Sequence, residues 1–435
     1  MKIYNFKDLT KPQLKELCSR SISDDNLVKS RTEEIIDNVK SNGDNALLSY
    51  AQQFDNIALP SLFIGKEELA ELAKQIPTEV KTAIDTAYQN IYKFHASQLK
   101  TEDKVETMPG VVCWRENRAI ERVGLYIPGG TAVLPSTFLM LGIPAKIAGC
   151  KEIVVCSPPQ SDGKVNCYIA YVATLLNIEK VYLVGGAQAV AAMAYGTETI
   201  PQVYKIFGPG NRYVTEAKKQ VQNSVAIDMP AGPSEVLVLA DETAIPSYVA
   251  ADLLAQAEHG TDSQSILAVT SNKTATLVID EVEKQLAELP RKDIAAAAIE
   301  NSYIMVVDSL AEGMEFSNIY APEHLILATE NYQTLIPLIT NAGSVFLGNL
   351  TPESAGDYAS GTNHTLPTSA FAKAYSGVSV DTFIKKITFQ HLNENGLRNI
   401  GKTVEVLAEA EGLQAHKNAV SIRLKSPSLP SASLP

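Results

Sequence analysis

After Pro77, apolar residues recur at helical spacing: Val80, Ile84, Ala87, Ile91 and Phe94 fall on one stripe. Proline suits the first turn of a helix, so the stripe has a start as well as a face. The stretch from about Asp24 to Leu99 reads as helical throughout. His95 sits at the stripe's edge and reads as a packing or surface residue, as does His391 in its polar stretch. From about Ile120 the rhythm changes. Short apolar runs alternate with helix-length segments, at Val123–Ile127, Ile153–Cys156, Val181–Val184, Lys205–Phe207 and Val225–Ile227. A second series follows at Val236–Leu239, Ile266–Val269, Ile304–Val307, Leu325–Ala328 and Val345–Leu347. Such alternation predicts parallel strands joined by helical crossovers.

The two series predict an α/β chain of two Rossmann-like, doubly wound units with incomplete parallel sheets, plus a helical N-terminal segment and a C-terminal tail domain. The expected divisions are an N-terminal arm (1–23), a main α/β domain (24–122 with 236–378), a second Rossmann-like domain (123–235) and a helical tail (379–435). After about Val378 the strand rhythm stops, and a polar, helix-prone stretch runs to Leu424. The final SPSLPSASLP is too rich in Ser and Pro to pack.

Composition narrows the function classes. The chain has 435 residues, 45% hydrophobic and 20% charged, as in ordinary globular proteins. A formal net charge of −12 argues against nucleic-acid and anionic-membrane partners. No apolar run is long enough for a bilayer. The best candidate, Val133 to Cys156, is broken by Pro135, Gly142, Pro144, Lys146, Lys151 and Glu152. The start, MKIYNFKDLTKPQLKEL, lacks an apolar signal core, so cytoplasm is the expected compartment. The five cysteines, Cys18, Cys113, Cys150, Cys156 and Cys167, show no CxxC spacing and read as free thiols.

Several strand candidates end in small-residue loops. Tyr126 is followed by Pro128-Gly129-Gly130, and Val184 by Gly185-Gly186-Ala187-Gln188. Phe207 is followed by Gly208-Pro209-Gly210-Asn211, and Ile227 leads into Pro230-Ala231-Gly232-Pro233-Ser234. In a parallel sheet these loops emerge at the strands' carboxyl ends, where such sheets bind ligands. Glycine lets the backbone approach a phosphate and helix N-termini supply N–H groups, so an anionic or dinucleotide ligand fits. No loop is a GxGxxG or Walker motif, and plain tight turns explain any single one as well.

Six histidines occur, and four lie in polar islands. Pro246 opens a helix with Val249, Leu253, Leu254 and Ala257 on one face, closed by Gly260. Gln256 and His259, three apart, share its last turn, where the helix dipole favours a cation. A polar helix end would look the same. Asp357 lies in Glu353-Ser354-Ala355-Gly356-Asp357, expected to be a flexible acidic loop. Gly412 separates Glu411 from His416 and is expected to break a helix there. Gln256, His259, Asp357 and His416 together offer nitrogen and oxygen donors suited to zinc or a similar divalent ion. Glu323-His324 stands at the entry to an apolar strand, where adjacent side chains point apart and can take separate roles.

These islands resemble one family. The run IDMPAGPSEVLVLADETAIPSYVAADLLAQAEHG, Ile227 to Gly260, is similar to the signature of histidinol dehydrogenases. GLYIPGG, VGGAQAV, FGPGNRYV, APEHL, GDYASGTNHTLPT and EGLQAHKNAV resemble further blocks of that family, in the same order. The resemblance implies oxidation of L-histidinol to L-histidine through L-histidinal, with two NAD and one zinc ion. It implies Gln256, His259, Asp357 and His416 as zinc ligands and Glu323 and His324 as the acid–base pair. Ser234, His364 and Glu411 would contact substrate together with the zinc ligands and His324. Tyr126, Gln188 and Asn211 would contact NAD, putting the cofactor on the 123–235 domain. It further implies a homodimer whose C-terminal tail completes the partner's site with Glu411 and His416.

The chemistry is consistent with this. Histidinol offers imidazole and amine nitrogens to a metal, which orients the reacting carbon. An imidazole such as His324 can take the hydroxyl proton, and Glu323 can draw one from water for the second oxidation. Glu411 would add charge recognition of the substrate ammonium. Competing readings are a zinc hydrolase in which Glu323 activates water, and a non-catalytic imidazole- or metal-binding protein. Aldehyde oxidation through a thiohemiacetal on Cys113 or Cys150 is a further route, but nothing near either thiol lowers its pKa.

Overall fold

The computed structural model describes residues 1–20, 26–129, 133–230 and 232–425. Gly130, Ala231 and the Ser/Pro tail from residue 426 lie outside the described residues. The chain divides into two compact units: Met1–Gln98 with Ile120–Phe383, and Leu99–Ala119 with Ile384–Pro435. Its strands in chain order are β1 (Lys2–Asn5), β2 (Phe63–Gly65), β3 (Val105–Met108), β4 (Val111–Ala119), β5 (Arg122–Tyr126), β6 (Glu152–Ser157), β7 (Lys180–Leu183), β8 (Lys205–Phe207), β9 (Ala226–Ile227), β10 (Glu235–Ala240), β11 (Gln264–Val269), β12 (Tyr303–Val306), β13 (His324–Ala328), β14 (Ser344–Leu347) and β15 (Ile384–Leu392).

The larger unit holds two six-stranded sheets, ordered β2-β7-β6-β5-β8-β9 and β1-β12-β11-β10-β13-β14. Every pairing is parallel except that of the edge strand β2 with β7. Each apolar run of the two series forms a strand, and the order reverses between β5 and β8 and between β10 and β13. These reversals are topological switch points, where doubly wound sheets open a crevice. Strand β10 explains the apolar runs. Its Val236, Val238 and Ala240 join one core while Leu237 and Leu239 join another, so both faces are covered.

The expected domain boundaries need correction. The helices Asn26–Phe54, Lys66–Ala73 and Thr78–Ala96 were expected to share a domain with residues 236–378. Instead Ile36, Leu47, Leu69, Ile84 and Ile91 share one core with Val123, Val155 and Val181 of the other sheet. Periodicity identifies an apolar stripe but not the sheet it covers. In residues 1–20, β1 extends the second sheet beside β12, and Leu14 and Leu17 pack on that sheet's core.

The smaller unit is a three-stranded antiparallel sheet, β15-β4-β3, followed by helices Glu394–Ala410 and Gln414–Lys425. The tail is therefore not purely helical. Strand β15, IKKITFQHL, is mostly exposed and carries no apolar run, so hydrophobicity could not reveal it. Pairing with β4 and the stacking of Phe389 on Trp114, centroids 5.3 Å apart, hold it. Among the described residues no helix is long and apolar enough to cross a membrane.

Candidate functional site

Two groups of polar residues stand out in the larger unit. The first lies at the carboxyl edge of the β5 sheet. Tyr126 ends β5, and its buried hydroxyl accepts the Gly186 N–H at 3.2 Å. Buried Gln188 lies in helix Gly186–Tyr195, which follows β7. Asn211 caps helix Arg212–Gln220 after β8, its Oδ1 accepting from Tyr213 N at 3.0 Å and Val214 N at 3.2 Å. Its amide nitrogen is not needed for the cap. Gly208 crosses the end of β5 at the switch point with φ +126°, and a Cβ there would sit 2.1 Å from the Tyr126 carbonyl oxygen. Asp228 Oδ2 accepts the Gly208 N–H at 2.9 Å, Lys218 Nζ donates to the Gly208 carbonyl at 3.0 Å, and the two side chains form a buried ion pair. A glycine loop pinned from below, with helix N-termini around it, is a backbone cradle that a pyrophosphate-bearing cofactor fits.

The second group gathers at the amino edge of the other sheet. Glu323 and His324 open β13, next to Glu235 at the start of β10. Glu323 Oε2 accepts the Glu235 N–H at 3.0 Å, and His324 Nδ1 lies 3.3 Å from the Glu235 carbonyl oxygen. A carbonyl only accepts, so Nδ1 carries a proton. Nε2 has no hydrogen-bond partner among the described residues and is 3.6 Å from Asp357 Oδ1. Glu353 Oε1 lies 3.6 Å from Nδ1, and Glu323 Oε2 3.8 Å. His324 is 4% exposed and Glu353 1%.

Asp357 is not on a flexible loop. It belongs to helix Glu353–Tyr358, whose pitch puts Glu353 and Asp357 on one side, one turn apart. Ligand atoms of His259, Glu353 and Asp357 lie within 4.8 Å of one another. Two expected ligands, His259 and Asp357, are thus brought together, with Glu353 added. Gln256 lies on the last turn of helix Pro246–Ala257, three residues before His259. It is 0% exposed, yet neither amide atom has a hydrogen-bond partner among the described residues. A buried amide left unpaired is costly, and an oxygen-binding cation would relieve it.

Electrostatics point the same way. Burial pushes the Glu323 carboxyl up to about 7 and Glu353 to about 8. For His324 burial works downward, but Glu353, Glu323 and Asp357 outweigh it and raise the imidazole to about 10. Burial would raise Asp357 too, but His324 holds it below the usual carboxylate range. Asp252, raised to about 7 by burial, accepts the Glu353 N–H and ties helix Pro246–Ala257 to the acidic helix. Acids crowded around one imidazole leave an excess of negative charge that a divalent cation would offset.

The other expected residues fall into place unevenly. His364 is fixed at both nitrogens, with Nδ1 2.9 Å from the Asp357 carbonyl and Nε2 3.0 Å from Thr137 Oγ1. The carbonyl requires Nδ1–H, so Thr137 donates to Nε2. Ser234 precedes Glu235, and its carbonyl accepts the Gln264 N–H at 3.2 Å. Glu411 and His416 belong to the smaller unit, where both are exposed. Gly412 between them has φ +72° and ends the first helix, as its position predicted. Burial pushes the Cys150 thiol up to about 12, the wrong direction for a nucleophile. Sequence reasoning missed Glu353, whose i,i+4 spacing to Asp357 was the available signal, and Glu235, a lone acid opening an apolar strand.

Comparison with known proteins points to one family. A family model described as histidinol dehydrogenase matches residues 18–424. A histidinol dehydrogenase of Bacteroides thetaiotaomicron is 54% identical over 418 residues, 96% of this chain and 98% of that protein. The chloroplastic histidinol dehydrogenase of Arabidopsis thaliana is 51% identical over 98% of this chain and 92% of its own length. A crystal structure of histidinol dehydrogenase from Elizabethkingia anophelis superposes with a TM-score of 0.94 at 52% identity, covering 98% of both chains.

Proposed function

Because this chain belongs to the histidinol dehydrogenase family of oxidoreductases, we propose that it oxidises L-histidinol to L-histidine through L-histidinal, a four-electron reaction using two NAD and the last step of histidine biosynthesis. The observation that carries the reading is the set His259, Glu353 and Asp357 beside the unpartnered Nε2 of His324.

Gln256, His259 and Asp357 would hold zinc, with His416 as a fourth ligand. Zinc, when bound, would anchor the imidazole and amine nitrogens of histidinol and offset the carboxylate charge around His324. NAD would receive the hydride, at a site formed by Tyr126, Gln188 and Asn211. With that carboxylate charge offset, the ring would lose its second proton, and neutral His324 accepts the hydroxyl proton of the alcohol at Nε2 while Nδ1–H stays on the Glu235 carbonyl. Glu323 then takes a proton from the water that adds to the aldehyde. Its raised carboxyl suits a group that must both gain and release a proton near neutral pH. Ser234 and His364 line the substrate. Glu411 and His416 reach the site from a second copy of the chain in a homodimer, Glu411 pairing with the substrate ammonium.

Purified protein given histidinol and NAD should form two NADH per histidinol consumed. One NADH would mean that oxidation stops at the aldehyde, and none would leave a hydrolase or binding protein. Mixed dimers of His416→Ala and His324→Ala subunits should recover part of the activity that both parents lack. Verified heterodimers without activity would rule out exchange of the tail.

A further inference from the structure

Behind the Glu323–His324 pair is a buried ion pair with no role in the chemistry so far. Arg20, from the N-terminal arm, reaches Glu235 at the start of β10. The Arg20 and Glu235 side chains are 9% and 1% exposed. Arg20 Nη2 donates to Glu235 Oε1 at 2.8 Å, and Nε lies 2.7 Å from Oε2, an ion contact without hydrogen-bond alignment. The rest of the guanidinium is equally fixed. Nη1 donates to the Tyr320 carbonyl at 2.8 Å, and the guanidinium carbon sits 3.6 Å from the centre of the Tyr320 ring. Tyr320 is itself held by its hydroxyl, which donates to Gln264 Oε1 at 2.7 Å.

Glu235 is unusual for what its peptide groups do. Its N–H is the hydrogen-bond donor to Glu323, and its carbonyl is the acceptor that fixes the His324 tautomer. One residue therefore orients both members of the acid–base pair through its backbone. Its side chain accepts the Ser369 N–H as well as Arg20. Ser369 and Ala370 both have left-handed φ, 54° and 62°, so the turn that carries this N–H is strained and must be held by its surroundings. That turn closes the loop bearing His364. The Glu235 carboxylate thus joins three segments: the arm, the start of β10 and the His364 loop.

We propose that Arg20 is a positioning residue for the acid–base pair: its fork holds Glu235, whose two peptide groups hold Glu323 and the Nδ1–H form of His324. This rests on the dehydrogenase reading for what the pair does, and adds that the arm controls it. Removing Arg20 leaves a buried carboxylate with the Ser369 N–H but no counter-charge, next to a group already crowded with acids, so the β10 start must shift or admit water. Lysine keeps the charge but not the fork, so it restores the function only in part.

The test compares wild type, Arg20→Lys and Arg20→Met, as zinc-loaded protein kept well below its melting temperature. Arg20→Met should lower kcat, counted per zinc-bound site, at least 10-fold, with KM for histidinol within threefold of wild type. Arg20→Lys should fall between. A merely structural role would lower the yield of zinc-bound protein and leave kcat per site unchanged, which would overturn the proposal. If Arg20→Met does not fold, Arg20→Lys decides, with an expected loss of threefold or more. A crystal structure of the best-folded variant, without substrate or NAD, judges the contacts independently of turnover. Glu323 should leave the Glu235 N–H, or His324 the Glu235 carbonyl; an unmoved pair contradicts the proposal. Wild type that does not oxidise histidinol would sink the dehydrogenase reading, while that structure would still decide the positioning role.

Discussion

The two sheets of the larger unit share a strand order, yet they carry polar chemistry at opposite ends. In the β5 sheet the carboxyl edge is a set of glycine loops around a switch point. In the β10 sheet the equivalent edge is closed by its own hydrogen bonds. Asp241, 6% exposed, accepts from the Thr243 N–H at 2.9 Å and hydroxyl at 2.5 Å, and from the Thr329 hydroxyl at 2.7 Å. Asn349 Nδ2 donates to the Thr243 carbonyl at 3.0 Å, and the Glu330 N–H to the Thr243 hydroxyl at 3.0 Å. With those groups satisfied, little is left to bind a ligand. Glu235, Glu323 and His324 stand at the amino edge instead, joined by side chains from helices Pro246–Ala257 and Glu353–Tyr358. One architecture thus supports a backbone-lined cradle in one copy and a side-chain cluster in the other.

Three substitutions would break or sharpen this contrast. The largest effect is expected at the amino edge. His324→Asn removes the base and should lower kcat by about 10²–10⁴-fold, with a far smaller change in KM for histidinol. A variant that only weakens binding would take the proton-transfer role from His324. A smaller effect is expected at the open carboxyl edge. Gly208→Ala forces a methyl against the Tyr126 carbonyl in a backbone region closed to alanine, and should raise KM for NAD about 10-fold. KM for histidinol should hardly move; if it rises equally, the two edges are not separate sites. The smallest effect on turnover is expected at the closed edge. Asp241→Ala leaves its partners unpaired and should cost about 1–3 kcal/mol of stability by denaturant titration. Its kcat at a temperature where it stays folded should match wild type, and a lower kcat would mean this edge is not merely structural.

Much of the contrast was legible in the sequence. Parallel strands buried on both faces leave near-continuous apolar runs, so each run of the two series became a strand. Edge strands carry no such signal: β1 is four residues with no buried position, and β15 mostly faces solvent. His259, Glu323, His324 and Asp357 were legible because titratable side chains stood beside apolar elements. Glu353 was not, because Gly356 inside a six-residue helix made the segment read as a loop. The Arg20 contact was invisible for another reason: its partner is 215 residues away, and only the parallel pairing of the arm on the second sheet brings it there.

The central claim is that the amino edge of the β10 sheet holds both metal and substrate. Crystals grown with zinc and soaked with histidinol, measured for anomalous scattering, test it directly. The account predicts one strong peak shared by Gln256, His259 and Asp357, with the amino alcohol beside it and its hydroxyl within reach of His324 Nε2. A peak at the carboxyl edge of either sheet, or histidinol bound away from His324, would contradict it.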